Sequence, residues 1–404
     1  MRIIGMMSGT SYDAIDAVAV DITREGDALV IDPRGAISEP YPDELLAALA
    51  AQMPPATTSM EQVCRLDAGI GQAFARLAAK ANDQLCDGQA EVIASHGQTV
   101  FHWVEGGTVH GTLQLGEPSW IAEATGCTVV SNFRSRDVSA GGQGAPLVSL
   151  FDTLWLRGMS GTPVALNLGG IANITVVSGE PIAFDTGPAN ALIDAAITSM
   201  TAGKQRYDHN GELGARGTVH AELLNRLLDE PYYSRPAPKT TGKELFHLPY
   251  LTAALADTGT QDLPAEDVIA TLVRLTARTV TDAVRAVGGT SVVVSGGGTL
   301  NPTLMRDLEH ELENVELRRS DELGLPSSMK EACAFAVLGY LSVHNLPATV
   351  PSCTGARHAS ILGSITPGTG GIQIQTAVPA PTTLSIVGVT AGRLNTEQKV
   401  RTAP

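Results

Sequence analysis

The sequence predicts an α/β fold of two lobes, and three observations carry that expectation. Short apolar strands alternate with helical stretches along most of the chain. A strand, a polar turn and a second strand occur within residues 2–22 and again within 163–177, about 160 residues later, which is the span of one domain. The 404 residues suffice for two or three domains of roughly 100 to 200 residues each.

Taken in order, residues 2–7 are an apolar run, 8–11 supply turn residues, and 15–22 alternate with Asp16, Val18, Val20 and Ile22 on one side. Helical patterns follow at 47–51 and 63–85. The apolar strand 91–94 then ends at Ser95, His96, Gly97, Gln98 and Thr99, a strand end crowded with hydrogen-bonding side chains. In the second half, 163–168 is a strand, Gly169-Gly170 the turn, and 171–177 its return. Residues 182–185 end another strand, and Thr186-Gly187-Pro188 opens a helix over 189–200, with Pro188 suited to its first position. Residues 229–242 contain Pro231, Pro236 and Pro238 and read as a surface loop, with a helix over 268–287 beyond. A third glycine turn, Gly296-Gly297-Gly298, follows strand 291–295 and leads to Asn301-Pro302, a helix N-cap and first-turn pair. The expected organisation is an N-terminal lobe of 1–135 plus about 350–370, a C-terminal lobe of 136–349, and a loose tail or short appendage over 371–404, rich in Pro, Gly and Thr.

Composition narrows the function. Hydrophobic residues are 43% and charged residues 17%, which favours a folded chain, and the net charge of −15 repels a polyanion such as nucleic acid. Any anionic ligand must therefore be held by local groups. Cys64, Cys86, Cys127, Cys333 and Cys353 show no paired spacing and read as buried reduced thiols. The first apolar stretch is too short for a signal peptide and 359–392 is too interrupted for a membrane helix, so a cytoplasmic location is expected.

No G-x-x-x-x-G-K-[ST] motif exists, and Gly296–Thr299 only approaches a dinucleotide fingerprint. The turn Gly9-Thr10-Ser11 is different, because small residues bring backbone N–H groups and hydroxyls close to phosphate oxygens. Asp13 and Asp16 follow, placed to orient the waters of a magnesium ion, or simply to be solvated turn carboxylates. Asp185 at a strand end could act as general base toward a bound hydroxyl or water, or cap the next helix. Arg134, Arg136 and Asp137 precede the flexible Ala140-Gly-Gly-Gln-Gly-Ala-Pro146, where a guanidinium could hold a carboxylate or form an ion pair. Glu331, early in an apolar helix, is either a ligand contact or a complement to the helix dipole.

Together these stretches resemble the anhydro-N-acetylmuramic acid kinase family of the sugar kinase, Hsp70 and actin superfamily. The likeness runs through Gly5-Met-Met-Ser-Gly-Thr-Ser-Tyr-Asp-Ala-Ile-Asp16, Ser95-His-Gly-Gln-Thr-Val-Phe-His102, Phe133-Arg-Ser-Arg-Asp137, Asn167-Leu-Gly-Gly-Ile-Ala-Asn-Ile174, Phe184-Asp-Thr-Gly-Pro-Ala-Asn190, Thr241-Gly-Lys-Glu-Leu-Phe246, Ser295-Gly-Gly-Gly298 and Lys330-Glu-Ala332. It covers the chain to about Gly368. The resemblance implies a two-lobed, ribonuclease H-like fold with an interlobe cleft and Asp185 as catalytic base. ATP would contact Gly9, Thr10, Ser11, Tyr12, Asp13, Ala14, Ile15, Asp16, Gly169, Gly170, Asn173, Gly296, Gly297 and Gly298. The sugar, 1,6-anhydro-N-acetylmuramic acid, would contact His96, Gln98, Thr99, Arg134 and Glu331. The implied cofactors are ATP and Mg²⁺ carried with it, the product is N-acetylmuramic acid 6-phosphate, and no nucleic acid or membrane is a partner. A homodimer is compatible with the sequence, which leaves the oligomeric state open.

Asn132, Ala189 and Glu117 depart from the commoner family pattern, which bears on substrate fit and not on the base. Two other readings share the phosphate turns. One is a kinase of levoglucosan, which lacks the lactyl and acetamido groups, and the other an actin-like or Hsp70-like nucleotide switch needing a partner surface instead of a sugar site.

Overall fold

The computed structural model describes residues 1–9, 12–53, 56–242, 244–371 and 378–387. Its strands are β1 (Arg2–Ser8), β2 (Ala14–Glu25), β3 (Ala28–Pro40), β4 (Val92–Glu105), β5 (Thr108–Leu115), β6 (Thr128–Ser131), β7 (Pro163–Leu168), β8 (Ile171–Val176), β9 (Ile182–Pro188), β10 (Ser291–Ser295), β11 (Glu316–Arg319), β12 (Ser364–Thr366) and β13 (Thr383–Ile386). They build two sheets in two compact units. One unit holds Met1–Leu154, Leu323–Leu325 and the chain from Met329 onward, and the other holds Trp155–Glu322 and Pro326–Ser328.

The two sheets repeat one plan. In the first, β3-β2-β1-β4-β6 are neighbours, and in the second β9-β8-β7-β10-β11 take the same order. The directions match as well: each central strand pairs antiparallel with the next strand in sequence, which pairs antiparallel with a third, and parallel with the fourth. Each sheet then adds a fifth strand, again parallel. The α/β class and the duplicated build expected for the sugar kinase, Hsp70 and actin superfamily are therefore present in each unit.

Additions distinguish the first sheet. β5 folds back on β4, β12 pairs antiparallel with β6, and β13 pairs parallel with β3 from Thr383↔Ala28 to Ile386↔Ile31. The described end of the expected loose tail is thus an edge strand, because its β-branched and apolar residues complete the open ladder of β3. In the second sheet β9 is the edge.

Alternation along β2 sends Ile15, Ala17 and Ala19 into one core with Ile4 and Met6 of β1, against Leu66, Ile70, Phe74 and Leu77 of the helix Met60–Cys86. That helix starts at a capping box between Ser59 and Gln62 and ends at Asp87 in the left-handed region. The opposite face of β1 carries the helix Lys330–Val343. Contact there is so close that a Cβ on Gly5 would lie 1.9 Å from the Ala332 carbonyl oxygen. This packing holds the helix in the first unit, whereas the sequence reading grouped 136–349 together. The boundary near 135 likewise falls inside the helix Phe133–Ser139, well before the first unit ends at Leu154.

In the second unit Val164, Leu166 and Leu168 of β7 and Ile174 and Val176 of β8 pack with the helices Asn190–Met200 and Ala265–Ala286. None of the five cysteines forms a disulfide among the described residues, and Cys64 is exposed while the other four are buried. The expectation of burial fails at Cys64 because it sits on the outward face of the amphipathic helix Met60–Cys86. Among the described residues no helix is long and apolar enough to cross a membrane.

Candidate active site

In the first unit the bend between β1 and β2 is closed by the Tyr12 N–H donating to the Gly9 carbonyl at 3.1 Å, with Tyr12 at φ 44°. Thr10 and Ser11, two of the expected phosphate contacts, lie outside the described residues. The Ala14 N–H donates to Asp13 Oδ1 at 3.1 Å, so this exposed carboxylate secures the start of β2. Asp16 is partly buried, and burial raises its pKa, with Asp13 adding to the rise. Ile15 is 2% exposed and its side chain belongs to the core, so only its backbone is left for a nucleotide.

Residues 95–99 do not end a strand, since β4 continues to Glu105 through its ladder with β5. This changes the roles expected of three side chains. Gln98 is fully buried: its Oε1 accepts from the hydroxyls of Ser8 at 2.8 Å and Tyr41 at 3.2 Å, and its Nε2 donates to the Gly9 and Thr99 carbonyls at 3.1 Å each. With both ends of the amide occupied, Gln98 braces the glycine turn instead of facing a sugar. Thr99 Oγ1 accepts from Gln114 Nε2 at 3.1 Å. His96 accepts at Nε2 from Arg134 Nε at 2.9 Å, which places its proton on Nδ1 for donation to the Gly97 carbonyl at 2.9 Å. Burial and the neighbouring Arg134 push its pKa down to about 3, so the ring is a neutral support for Arg134.

Arg134 lies on the short helix Phe133–Ser139, and its Nη1 donates to the Gly144 carbonyl at 2.7 Å. Its Nη2 makes no hydrogen bond among the described residues, which leaves one charged donor for a ligand. The glycine-rich loop beneath it is pinned by Asp137, whose Oδ2 accepts from the Gly144 N–H at 2.8 Å and Oδ1 from the Thr354 hydroxyl at 2.7 Å. Glu331 is the second residue of the helix Lys330–Val343. Burial raises its pKa, Lys330 and Arg134 oppose that rise, and Asp16 and Asp152 add to it. His96, Arg134, Asp16 and Glu331 therefore form one neighbourhood. The sequence reading missed Asp152, which pairs with Lys330 at 2.8 Å, because nothing marked its helix Ser149–Leu156.

Of the departures from the family pattern, Asn132 stands at φ 53° and accepts from the Ser135 hydroxyl at 2.5 Å. Asparagine tolerates this left-handed position well. Glu117 accepts from the Ser119 N–H at 2.9 Å, which caps the helix Pro118–Thr125. Ala189 is completely buried before the helix Asn190–Met200.

In the second unit a polar row crosses the sheet. Ser295 of β10 is in register with Asn167 of β7, Asn167 with Asn173 of β8, and Asn173 with Asp185 of β9. Neighbouring strands are about 4.8 Å apart, so the row brings the expected nucleotide residues and the expected base to one end of one sheet. Gly169-Gly170 joins β7 to β8 there, with the Gly169 carbonyl accepting from Asn190 Nδ2 at 2.9 Å. Gly296, at φ 91°, packs against the same turn: a Cβ on it would be 2.5 Å from Asn167 Oδ1 and 2.8 Å from the Leu168 carbonyl oxygen. Gly297 beside it is exposed and Gly298 is buried against Leu168.

Asp185 lies inside β9, not at its junction with a helix. Pro188 is the last residue of the strand and the helix begins at Asn190, because backbone pairing with β8 continues to Ile171↔Pro188. The segment read as a surface loop is folded onto Asp185. The Asp185 N–H donates to the Lys239 carbonyl at 3.0 Å, the Tyr232 hydroxyl donates to the Asp185 carbonyl at 2.8 Å, and the Thr241 N–H donates to Oδ2 at 2.9 Å. Lys239 Nζ lies 4.8 Å from the Tyr232 ring centre and donates to the Tyr233 carbonyl at 2.8 Å, while Tyr232, Tyr233, Phe246 and Tyr250 pack into one cluster, Tyr233 stacked on Phe246 and the other pairs edge-on. Oδ1 of Asp185 makes no hydrogen bond among the described residues. Burial raises the Asp185 pKa to about 7, with the Glu244 charge pushing the same way and the Thr241 N–H opposing. Such a carboxylate can take a proton near neutral pH while one oxygen is held in place.

The family model described as anhydro-N-acetylmuramic acid kinase matches residues 1–368. The chain is similar to proteins named anhydro-N-acetylmuramic acid kinase from Streptomyces avermitilis (65% identity over 93% of this chain and 96% of that protein) and Rhodococcus erythropolis (62% over 96% and 99%). A third, from Streptomyces coelicolor, is 57% identical over 96% of this chain and 100% of its own.

Proposed function

The chain belongs to the anhydro-N-acetylmuramic acid kinase family, and from that premise we propose how its residues perform the reaction. It is an ATP-dependent kinase that opens the 1,6-anhydro ring of 1,6-anhydro-N-acetylmuramic acid with water and phosphorylates O6, in the recycling of cell-wall sugar. The observation that carries the mechanism is Asp185, with its pKa raised to about 7, Oδ2 held by Thr241 and Oδ1 without a hydrogen bond among the described residues. Oδ1 takes a proton from the water that attacks C1. The C1–O6 bond then breaks, and O6 passes its developing charge to the γ-phosphoryl group as ADP leaves. No second acid is needed to protonate O6.

The glycine turns at Gly9 and Gly169-Gly170 approach the phosphates with backbone N–H groups, and Gly296–Gly298 takes the adenosine side. Among the described residues no group of three or more His, Cys, Asp or Glu side chains is arranged to hold a metal. Asp16, its charge disfavoured by burial and by Asp13, suits the outer waters of a magnesium ion that arrives with ATP. That ion would neutralise charge on the transferring phosphate. Arg134 faces the lactyl carboxylate and Glu331 the sugar hydroxyls, in a cytoplasmic enzyme.

ATP, Mg²⁺ and the anhydrosugar are expected to yield a product heavier by one water and one phosphate together, read by mass spectrometry. Gain of phosphate with the anhydro ring intact would refute the mechanism. Arg134→Ala is expected to raise the KM for the lactyl sugar about 10- to 100-fold, the size of a lost charged hydrogen bond, and to leave the KM for ATP unchanged. An unchanged sugar KM would remove Arg134 from the lactyl site.

The pH dependence follows from the sign of the Asp185 shift. The base works deprotonated, so kcat/KM should be low in acid and rise to a plateau through a midpoint near the raised pKa of about 7. Glu244→Gln removes a negative neighbour that favours the protonated form, so its midpoint should move to lower pH. A midpoint unmoved by that change would separate the limb from Asp185.

A further inference from the structure

Lys330 and Asp152 form an ion pair with side chains only 3% and 6% exposed, and no other ion pair among the described residues has both partners so sealed. Burying two charges gains little over an apolar pair of the same volume, so stability alone does not account for it. Its place in the first unit is informative. Arg134 Nη1 is bound to the Gly144 carbonyl, and the loop from there reaches Pro146, whose carbonyl accepts from the Ser149 hydroxyl at 2.6 Å. Ser149 begins the helix that carries Asp152. Asp152 holds Lys330, and Lys330 is followed directly by Glu331. Arg134 and Glu331 are thus the two ends of a chain of contacts in which the ion pair is the final link. The same two ends interact across the gap, since Glu331 favours the charge on Arg134 and Arg134 the charge on Glu331.

We infer that Lys330 and Asp152 are positioning residues that hold the Glu331 carboxylate and the Arg134 guanidinium at the separation the sugar requires. The inference rests on the proposed sugar contacts of Arg134 and Glu331. Lys330 supplies a positive charge that opposes neutralisation of Glu331, and Asp152 holds that charge at 2.8 Å. Neither side chain has the exposure to touch a ligand itself.

The test is the paired apolar replacement Lys330→Met with Asp152→Leu, which removes both charges and leaves neither alone. Its thermal melting should stay close to the wild type, while its KM for 1,6-anhydro-N-acetylmuramic acid rises at least 10-fold, with kcat and the KM for ATP changed less than threefold. Lys330→Arg, which keeps the charge, should stay within threefold of the wild-type sugar KM and serves if the paired variant does not fold. A folded paired variant with the wild-type sugar KM would overturn the inference, as would a Lys330→Arg protein that folds normally but shows a 10-fold weaker KM. Absence of turnover in the wild-type protein would instead refute the reading of the site.

Discussion

Asp185→Asn is expected to lower kcat by about 10²- to 10⁴-fold, the contribution of a general base, and to remove the gain of water and the gain of phosphate together. The substitution is close to isosteric, and an amide oxygen can still accept from the Thr241 N–H that now binds Oδ2 at 2.9 Å. What disappears is the ability to take a proton. Hydrolysis in ¹⁸O-labelled water followed by mass analysis reads both gains in one molecule. Phosphorylation at the wild-type rate would exclude Asp185 as the base, and loss of one gain without the other would exclude coupled chemistry. Unfolding is not expected to confuse the result. Because the folded state binds this proton more tightly than an unfolded chain does, the ionised Asp185 costs stability as pH rises from the ordinary carboxylate range through about 7. The asparagine protein should therefore melt at the wild-type temperature or above it at pH 8.

Gly5→Ala is expected to destabilise the first unit by about 3 kcal/mol or more, at or beyond the upper end of ordinary overpacking. The added methyl would lie 1.9 Å from the Ala332 carbonyl oxygen and 2.8 Å from the Ala336 nitrogen, which are backbone atoms with no rotamer to change. Either β1 or the helix Lys330–Val343 must move. Against a total of about 5–15 kcal/mol for a folded domain, that is a large share. Movement of the helix also displaces Glu331, so any folded fraction should bind the sugar weakly. Circular dichroism melting checks the first effect, and a melting temperature within a degree or two of the wild type would show that the contact relaxes at little cost.

The fold was legible wherever a local pattern decided it. The turns at Gly9, Gly169 and Gly296 and the Asn301-Pro302 helix start are set by neighbours in sequence, and Asn301 Oδ1 indeed accepts from the N–H groups of Thr303 and Leu304 at 3.0 and 3.1 Å. Boundaries set by distant pairing were not legible. β4 passes through the polar run 95–99 because β5 returns along it, and β9 passes Asp185 because β8 does. The site shows the same division. Asp185 and Arg134 stand out by residue type and motif, whereas Asp152, Tyr232 and Lys239 act through partners up to 178 residues away, as Lys330 does for Asp152. Gln98 and His96 show the converse: both are polar residues in a motif, and both turn inward because groups remote in sequence enclose them, Ser8 and Tyr41 at Gln98 and Arg134 and Phe335 at His96.

The repeated sheet plan gives the protein two corresponding borders with different occupants. At one, the strand Thr383–Ile386 lies along β3, and at the other, β9 receives an irregular peptide that binds Asp185 by its backbone and its carboxylate. The peptide's own anchor is an aromatic cluster outside the ladder. Insertions, deletions or exchanges within 229–242 can therefore retune how readily the carboxylate gives up its proton while the strands beneath stay as they are. One border is committed to architecture, and the other is free to evolve with the chemistry.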